Sequence, residues 1–420
     1  MNMQAPWYSA LTSTHKNALI GALGAWTFDA MDVLLYVMSL TTIKNEFNIS
    51  LAMSGALASV TLASSALGGI GFGVLADKIG RKKSLAIAVA VYGLFTGLSA
   101  ISSSATELAV YRTLLGLGMG GAWAAGALLV NETWPSEHRG KASGFMQAGW
   151  ALGYMAAALI SGLILPVYGW RVLFCVGVIP SVLMVIFILL RCEEPVIWLE
   201  QQKNKLTQQG QSAAQEKPTS FFDIFGSDIV KITVIATIFA CFAQLAYWGL
   251  FTWLPSYLSS SPEAGGAGMS IVRTSGWVFA MQVGALIGYT SFGFLADRYG
   301  RKTAFVIFLA TAAVLVPLYG SMRNPTLLFL VGPLVGCFGS GYFSGFGVML
   351  SELFPTKLRG AAVGFVYNVG RGASALAPII IGTLAEYFGI GTSLFITSFF
   401  FICGVCALYF LPETKGQSLR

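Results

Sequence analysis

Apolar residues fall in long blocks near 17–40, 54–76, 84–103, 107–130, 142–165, 171–190, 230–254, 275–295, 303–321, 326–350, 361–384 and 392–411, with polar stretches between them. Each block is near or above the ~20 residues that a helix needs to cross a bilayer. Small and bulky side chains mix within the blocks without period-two polarity, so the pattern predicts helices rather than a barrel, whose lumen positions would be polar. Twelve transmembrane helices are expected. The longest polar stretch, 191–229, reads as a linker with one surface helix around 197–205, leaving six-helix units at 1–190 and 230–420. The first block is too long for a signal-peptide core and holds two aspartates, so it is expected to remain as the first membrane helix.

A displacement of 220 positions lays the second half of the chain on the first: Asp77 falls on Asp297, Gly80 on Gly300, Arg81 on Arg301, Glu132 on Glu352 and Pro135 on Pro355. A duplicated unit follows, and the fold class expected is an all-α membrane protein of two pseudo-symmetric six-helix bundles. Four charged residues inside apolar blocks have no counterpart under the displacement: Asp29, Asp32, Arg112 and Arg371. Arg371 maps onto Ala151, and Asp29 and Asp32 map onto Gly249 and Thr252.

Composition agrees with a bilayer protein: 55% of residues are hydrophobic, 10% are charged, and mean hydropathy is +0.72. The net charge of +7 comes from clusters that all fall on one side of the expected spans, including Lys78, Arg81, Lys82, Lys83, Arg139, Lys141, Arg298, Arg301, Lys302, Lys357 and Arg359. That side is therefore expected to be cytoplasmic, with both termini inside, and the basic excess reports topology instead of nucleic-acid binding. The six cysteines, Cys403 and Cys406 among them, read as structural thiols, and two histidines, His15 and His138, are too few for a histidine metal centre. The glycine run at 116–121 lies inside an apolar block with no strand before it, so close helix packing is expected there and not a phosphate cradle.

Two loops carry the repeat most clearly: Gly73-Val-Leu-Ala-Asp77-Lys78-Ile-Gly80-Arg81-Lys82 and Gly293-Phe-Leu-Ala-Asp297-Arg298-Tyr-Gly300-Arg301-Lys302. They resemble the signature loops of the major facilitator superfamily, and the resemblance extends over essentially the whole chain. Tyr111-Arg112-Thr-Leu-Leu-Gly116-Leu-Gly118 is similar to the family's fourth-helix arginine motif, Glu193-Glu194-Pro195 with Trp198-Leu199 to the element after helix six, and Pro412-Glu413-Thr414-Lys415-Gly416 to the terminal element. Helix five, Gly149-Trp-Ala-Leu-Gly153-Tyr154, lacks the Gly-Pro element of multidrug antiporters. Helix seven, with Gln244, Tyr247 and Trp248, lacks the paired glutamines of sugar porters. Trp26-Thr-Phe28-Asp29-Ala-Met-Asp32 and Tyr367-Asn368-Val-Gly-Arg371 look most like the carboxylate:proton symporters, notably the sialate and aromatic-acid groups.

The residues support that resemblance on their own chemistry. A charge in mid-membrane costs about 2.5–3.5 kcal/mol on insertion scales, so it tends to face a partner or a wet cavity. Asp29 and Asp32 share a helical face with Trp26 and Tyr36, and Tyr367, Asn368, Arg371 and Ser374 form a polar stripe on another span. Arginine's planar fork binds a carboxylate through two hydrogen bonds and keeps its proton. Aspartate in a cavity takes or releases a proton according to the charge that faces it. Asp29 and Asp32 are thus expected to couple protons, with Asp32 pairing with Arg112. Arg371 and Arg112 are expected to bind substrate, with Tyr367, Asn368, Trp26, Trp123, Gln147, Gln244, Tyr247, Trp248, Gln282 and Tyr342 as further lining. Asp77, Arg81, Glu132, Asp297, Arg301 and Glu352 occur in both halves and are assigned to gating.

The function expected is proton-coupled symport of a small organic anion by alternating access, driven by the proton gradient, with no cofactor and no enzymatic chemistry. The partners are a small carboxylate, protons and the lipid bilayer, with no nucleic acid; a monomer in a bacterial inner membrane is expected. The alternatives are a sugar or polyol porter, disfavoured by Arg371, a drug:proton antiporter, disfavoured by the missing proline motif, and a non-transporting receptor, disfavoured by two intact gating loops.

Overall fold

A computed structural model describes residues 11–135, 139–208, 224–226 and 229–415. His138, the middle of the 191–229 linker and both chain ends, 1–10 and 416–420, lie outside the described residues. The helices are α1 (Ser13–Phe47), α2 (Leu51–Ile79), α3 (Arg81–Ala100), α4 (Ala105–Thr133), α5 (Arg139–Arg191), α6 (Val196–Gln208), α7 (Val230–Ser259) and α8 (Ile271–Tyr299). They continue with α9 (Arg301–Ser321), α10 (Pro325–Ser340), α11 (Phe343–Leu353), α12 (Thr356–Ser374), α13 (Leu376–Phe388), α14 (Ile390–Ser393) and α15 (Phe395–Tyr409).

Short polar linkers start the helices by supplying acceptors for their first free N–H groups. Ser50 accepts from Met53 N at 3.1 Å, Ser104 from Glu107 N at 3.2 Å, and Asn324 from Thr326 N at 2.9 Å. Between α2 and α3 the whole connection is Gly80, with φ 106° and ψ 160°; Gly300 repeats it between α8 and α9 at φ 106° and ψ 157°. That backbone region is open essentially to glycine alone.

Ten helices among the described residues are long and apolar enough to cross a membrane. The chain is a multi-pass membrane protein, and large apolar side chains such as Leu67, Leu163, Leu330 and Phe294 stand on its outer surface, where a soluble protein would carry polar ones. Ten differs from the twelve apolar blocks for two local reasons. The blocks 142–165 and 171–190 join as α5, which has a non-helical Gly169 (φ 75°, ψ 177°) at the junction. The block 361–384 is divided between α12 and the 13-residue α13 at Ser374-Ala375, where Ala375 N turns back to Gly372 O at 3.2 Å.

Helices α1 to α5 pack chiefly on one another, as do α7 to α15, and the two sets meet through α2 with α12 and α13, α5 with α8, and α1 with α7. The glycine run of α4 serves packing: a Cβ at Gly118 would lie 2.6 Å from Tyr92 N, so α3 and α4 touch backbone to backbone. At one end of the molecule the two sets also touch backbone to backbone. A Cβ on Gly55 would lie 2.8 Å from Pro378 C, and the Glu386 carboxylate accepts from Ala52 N at 2.9 Å. This is called the Glu386 end; the Gly80 and Gly300 turns mark the opposite, Arg81 end.

Candidate functional site

Where α1, α5, α7, α8, α11 and α12 converge they leave a narrow cavity. Trp26, Gln147, Trp150, Tyr247, Trp248, Tyr289, Phe343, Tyr367 and Arg371 line it. Arg371 is 2% exposed, and its Nε and Nη2 have no hydrogen-bond partner. It makes no ion pair among the described residues, so a buried cation faces the cavity with its donors unused. Aromatic rings fix the remaining walls. Trp26 packs on Trp150 with centroids 4.6 Å apart, and Trp150 Nε1 donates to Tyr247 Oη at 2.6 Å, joining α5 to α7 across the cavity.

The lining expected from sequence separates into three groups. Trp26, Gln147, Tyr247, Trp248, Tyr367 and Arg371 face the cavity. Trp123 and Gln244 stand behind it: Trp123 stacks on Tyr367 at 4.6 Å and donates to Gln147 Oε1 at 3.3 Å, while Gln244 Nε2 donates to Tyr367 O at 2.9 Å. The others are placed elsewhere. Tyr342 donates to Ala243 O at 2.7 Å inside the α7 to α12 packing, Asn368 donates to Gly364 O at 2.9 Å and lies against Gly69, and Gln282 is buried on α8 outside the lining of this cavity. Sequence reasoning missed Trp150, Tyr289 and Phe343. Tyr289 had a readable signal, since it lies seven residues from Gln282 and therefore near the same helical face.

Asp29 is fully buried, with neither carboxylate oxygen hydrogen-bonded, and the ionic groups whose fields reach it are Arg371, Asp32 and Arg112. Asp32 accepts a short hydrogen bond from Thr96 Oγ1 on α3 and faces Gly177 of α5. The expected Asp32–Arg112 pair is not formed. Thr96 holds the carboxylate, and the Arg112 guanidinium instead lies 4.2 Å from the centre of the Tyr36 ring, its Nε unpartnered.

At the Arg81 end the repeated charges come together within each set of helices. Arg81 Nε and Nη2 fork onto the two Glu132 oxygens at 2.8 Å each, and Nη1 reaches Asp77 at 2.9 Å. Arg301 bonds Glu352 at 3.3 and 3.1 Å and Asp297 at 2.6 Å. The Asp77 and Asp297 side chains are 65% and 77% exposed and, among the described residues, form ion pairs only with the arginine four residues on. Two further acids complete the pattern: Glu194 accepts from Arg81 N at 2.7 Å and Lys82 N at 3.1 Å, and Glu413 accepts from Arg301 N at 2.8 Å and Lys302 N at 3.0 Å. The Glu-Pro and Pro-Glu elements of the sequence are therefore caps on α3 and α9.

A family model described as Major Facilitator Superfamily matches residues 19–272 and 266–420. The cis,cis-muconate transport protein of Acinetobacter baylyi is 34% identical over 96% of this chain and 95% of its own length. The sialic acid transporter NanX of Escherichia coli is 32% identical over 94% of each chain. Among solved structures, the crystal structure of a D-xylose-proton symporter superposes with a TM-score of 0.77 at 20% identity, covering 97% of this chain and 99% of that one.

Proposed function

Since the chain belongs to the major facilitator superfamily, and is thus a membrane transporter and not an enzyme, we propose that it carries a small organic carboxylate across the membrane together with protons. The unpartnered guanidinium of Arg371 in an aromatic cavity carries this reading. An acid anion would take both free donors at once, and the rings would cover its carbon skeleton. A polyol would find Gln147 as the sole amide on that wall. The names of the relatives, which concern muconate and sialic acid, support a carboxylate.

Asp29 and Asp32 couple protons to this event. An ionised Asp29 competes with the substrate for the field of Arg371, whereas a protonated Asp29 leaves that field to the incoming anion. Binding and protonation therefore favour each other. We assign the Arg81 end to the cytoplasm from its lysines and arginines, and read twelve crossings by counting α5 as two spans and α12 with α13 as one. The units 1–190 and 230–420 then rock about the cavity while Arg81 and Arg301, with their acids, hold the inner helix ends. In this conformation the outer, Glu386 end is closed.

Binding to purified protein tests the reading. Quenching of tryptophan fluorescence by a panel of carboxylates should give saturable curves in wild type. Arg371→Ala should weaken binding at least 100-fold, and Arg371→Lys less, because a point charge cannot reproduce the fork. Wild-type affinity in Arg371→Ala contradicts the proposed site.

A further inference from the structure

Of Asp29 and Asp32, only Asp32 is hydrogen-bonded, and its partner comes from α3, a helix that contributes nothing to the cavity wall. Thr96 Oγ1 lies within bonding reach of two oxygens: Asp32 Oδ2 and, at 2.9 Å, Tyr92 O one turn earlier in its own helix. A hydroxyl carries one hydrogen and two lone pairs, so it donates to only one of the two at a time. Both side chains are buried, and Gly177 of α5 meets the other carboxylate oxygen. A Cβ there would lie 3.3 Å from Asp32 Oδ1 and 2.7 Å from Leu35 Cδ1, so Asp32 is held between α3 and α5. The charged and titratable groups whose fields meet it are Asp29 on α1, Tyr92 on α3 and Arg112 on α4, while α5 presents Gly177.

The hydrogen bonds at Thr96 can be counted for each charge state of the acid. With Asp32 ionised, its oxygen accepts the Thr96 hydrogen, and Tyr92 O keeps the helical N–H of Thr96 as its donor. With Asp32 protonated, the carboxyl O–H donates to a lone pair of Thr96 Oγ1, which turns its own hydrogen to Tyr92 O. Every polar atom at that corner is satisfied in both states, and passage between them needs only the proton and a rotation about the Cβ–Oγ1 bond. Threonine commonly bonds back to the carbonyl four residues earlier in a helix. The particular feature here is the acid on the other side of the same oxygen. A buried acid of fixed charge needs only a donor, whereas a hydroxyl with a second acceptor behind it suits an acid whose charge changes.

We propose that Thr96 is a positioning residue for proton coupling: its hydroxyl reverses direction as Asp32 gains and loses its proton, keeping the acid hydrogen-bonded in both states and setting the pH at which its charge changes. The inference rests on the reading that Asp32 couples protons and deepens it, placing the exchange in the packing of α1, α3 and α5, apart from the cavity wall. The step balances. One proton adds to Asp32 Oδ2, the carboxylate becomes neutral, and Thr96 neither gains nor loses a hydrogen.

Infrared pH titration of the full-length protein in detergent tests this with the proton as the sole ligand. The protonated-carboxyl band that vanishes in Asp32→Asn belongs to Asp32, and its growth with acid gives a midpoint. Thr96→Val has nearly the shape of threonine but no hydroxyl. The ionised acid then loses a charge-assisted bond and the neutral acid a weaker one, so the midpoint should move to higher pH by about one unit. Thr96→Ser keeps the hydroxyl and should titrate with wild type; lost packing alone would reverse that ranking, since serine is the smaller residue. Thr96→Cys provides a second arm if the valine variant does not fold: its weaker donor should move the midpoint in the same direction by less. An unchanged or lowered midpoint in Thr96→Val or Thr96→Cys, or a shift in Thr96→Ser as large as that in Thr96→Val, overturns the role of Thr96 while that of Asp32 stands. Absence of any band that depends on Asp32, over the whole pH range in which the protein stays folded, overturns proton coupling by Asp32 as well.

Discussion

Asp29, Arg112 and Arg371 are buried charges that touch no oppositely charged atom among the described residues, in a protein where mid-membrane charge is costly. Their expense is understandable only if something mobile, a proton or an anion, completes them in turn. Asparagine at Asp29 or Asp32 imitates the protonated acid permanently. Asp29→Asn and Asp32→Asn should therefore lose uphill accumulation driven by a pH gradient, by at least tenfold, while keeping counterflow exchange of preloaded substrate. Parallel uptake and counterflow assays in proteoliposomes check this, and full accumulation in both variants would place the proton elsewhere. These charges were legible in the sequence because Asp29, Asp32 and Arg371 interrupt apolar blocks in one half only. The aromatic lining was not. A tryptophan or phenylalanine in a membrane helix looks the same whether it meets lipid, a neighbouring helix or a cavity, so the sequence does not distinguish Trp150 and Phe343, which line the cavity, from Tyr342, which is bonded to Ala243 O within the helix packing.

At the scale of single elements, the turns at Gly80 and Gly300 join two membrane helices through one residue each. A side chain at Gly80 is strained by backbone conformation, and its Cβ would also come within 2.5 Å of the Glu194 carboxyl carbon that caps α3. Gly80→Ala should destabilise the protein by about 1–3 kcal/mol and lower its unfolding midpoint in detergent. Gly71→Ala, whose Cβ would meet nothing within 4 Å, is the matched control and should be neutral. Equal midpoints for the two variants would mean that the turn carries no strain. The sequence displayed these turns through repetition, and the Arg81–Glu132 and Arg301–Glu352 contacts lie 51 residues apart in both halves. It did not display the capping by Glu194 and Glu413. Those acids reach back 113 and 112 residues, and a Glu beside Pro in a polar stretch carries no local sign of such a target. Helix ends were similarly hard to read where one apolar block ran into another, as in α5, because Gly169 is one glycine among 49.

For the whole molecule, the repeat of 220 residues predicts two like units but says nothing about how they lean on each other. That relation is set by contacts far apart in sequence, among them Ala52 with Glu386, 334 residues apart, and Gly55 against Pro378. A bulky residue at Gly55 has no room in the closed arrangement. Gly55→Trp should hold the Glu386 end open, so that a cysteine introduced at Thr252, on a background without the six native cysteines, is labelled several-fold faster by an impermeant maleimide added from outside. Unchanged labelling would show that this contact does not close the outer path. The measurement that bears most directly on the central claim is uptake of a radiolabelled carboxylate into proteoliposomes with and without an inward proton gradient. The account expects accumulation above equilibrium only with the gradient, its collapse on adding a protonophore, and its loss in Arg371→Ala. Carboxylate uptake that never exceeds equilibrium, or that is indifferent to the gradient and to Arg371, would contradict it.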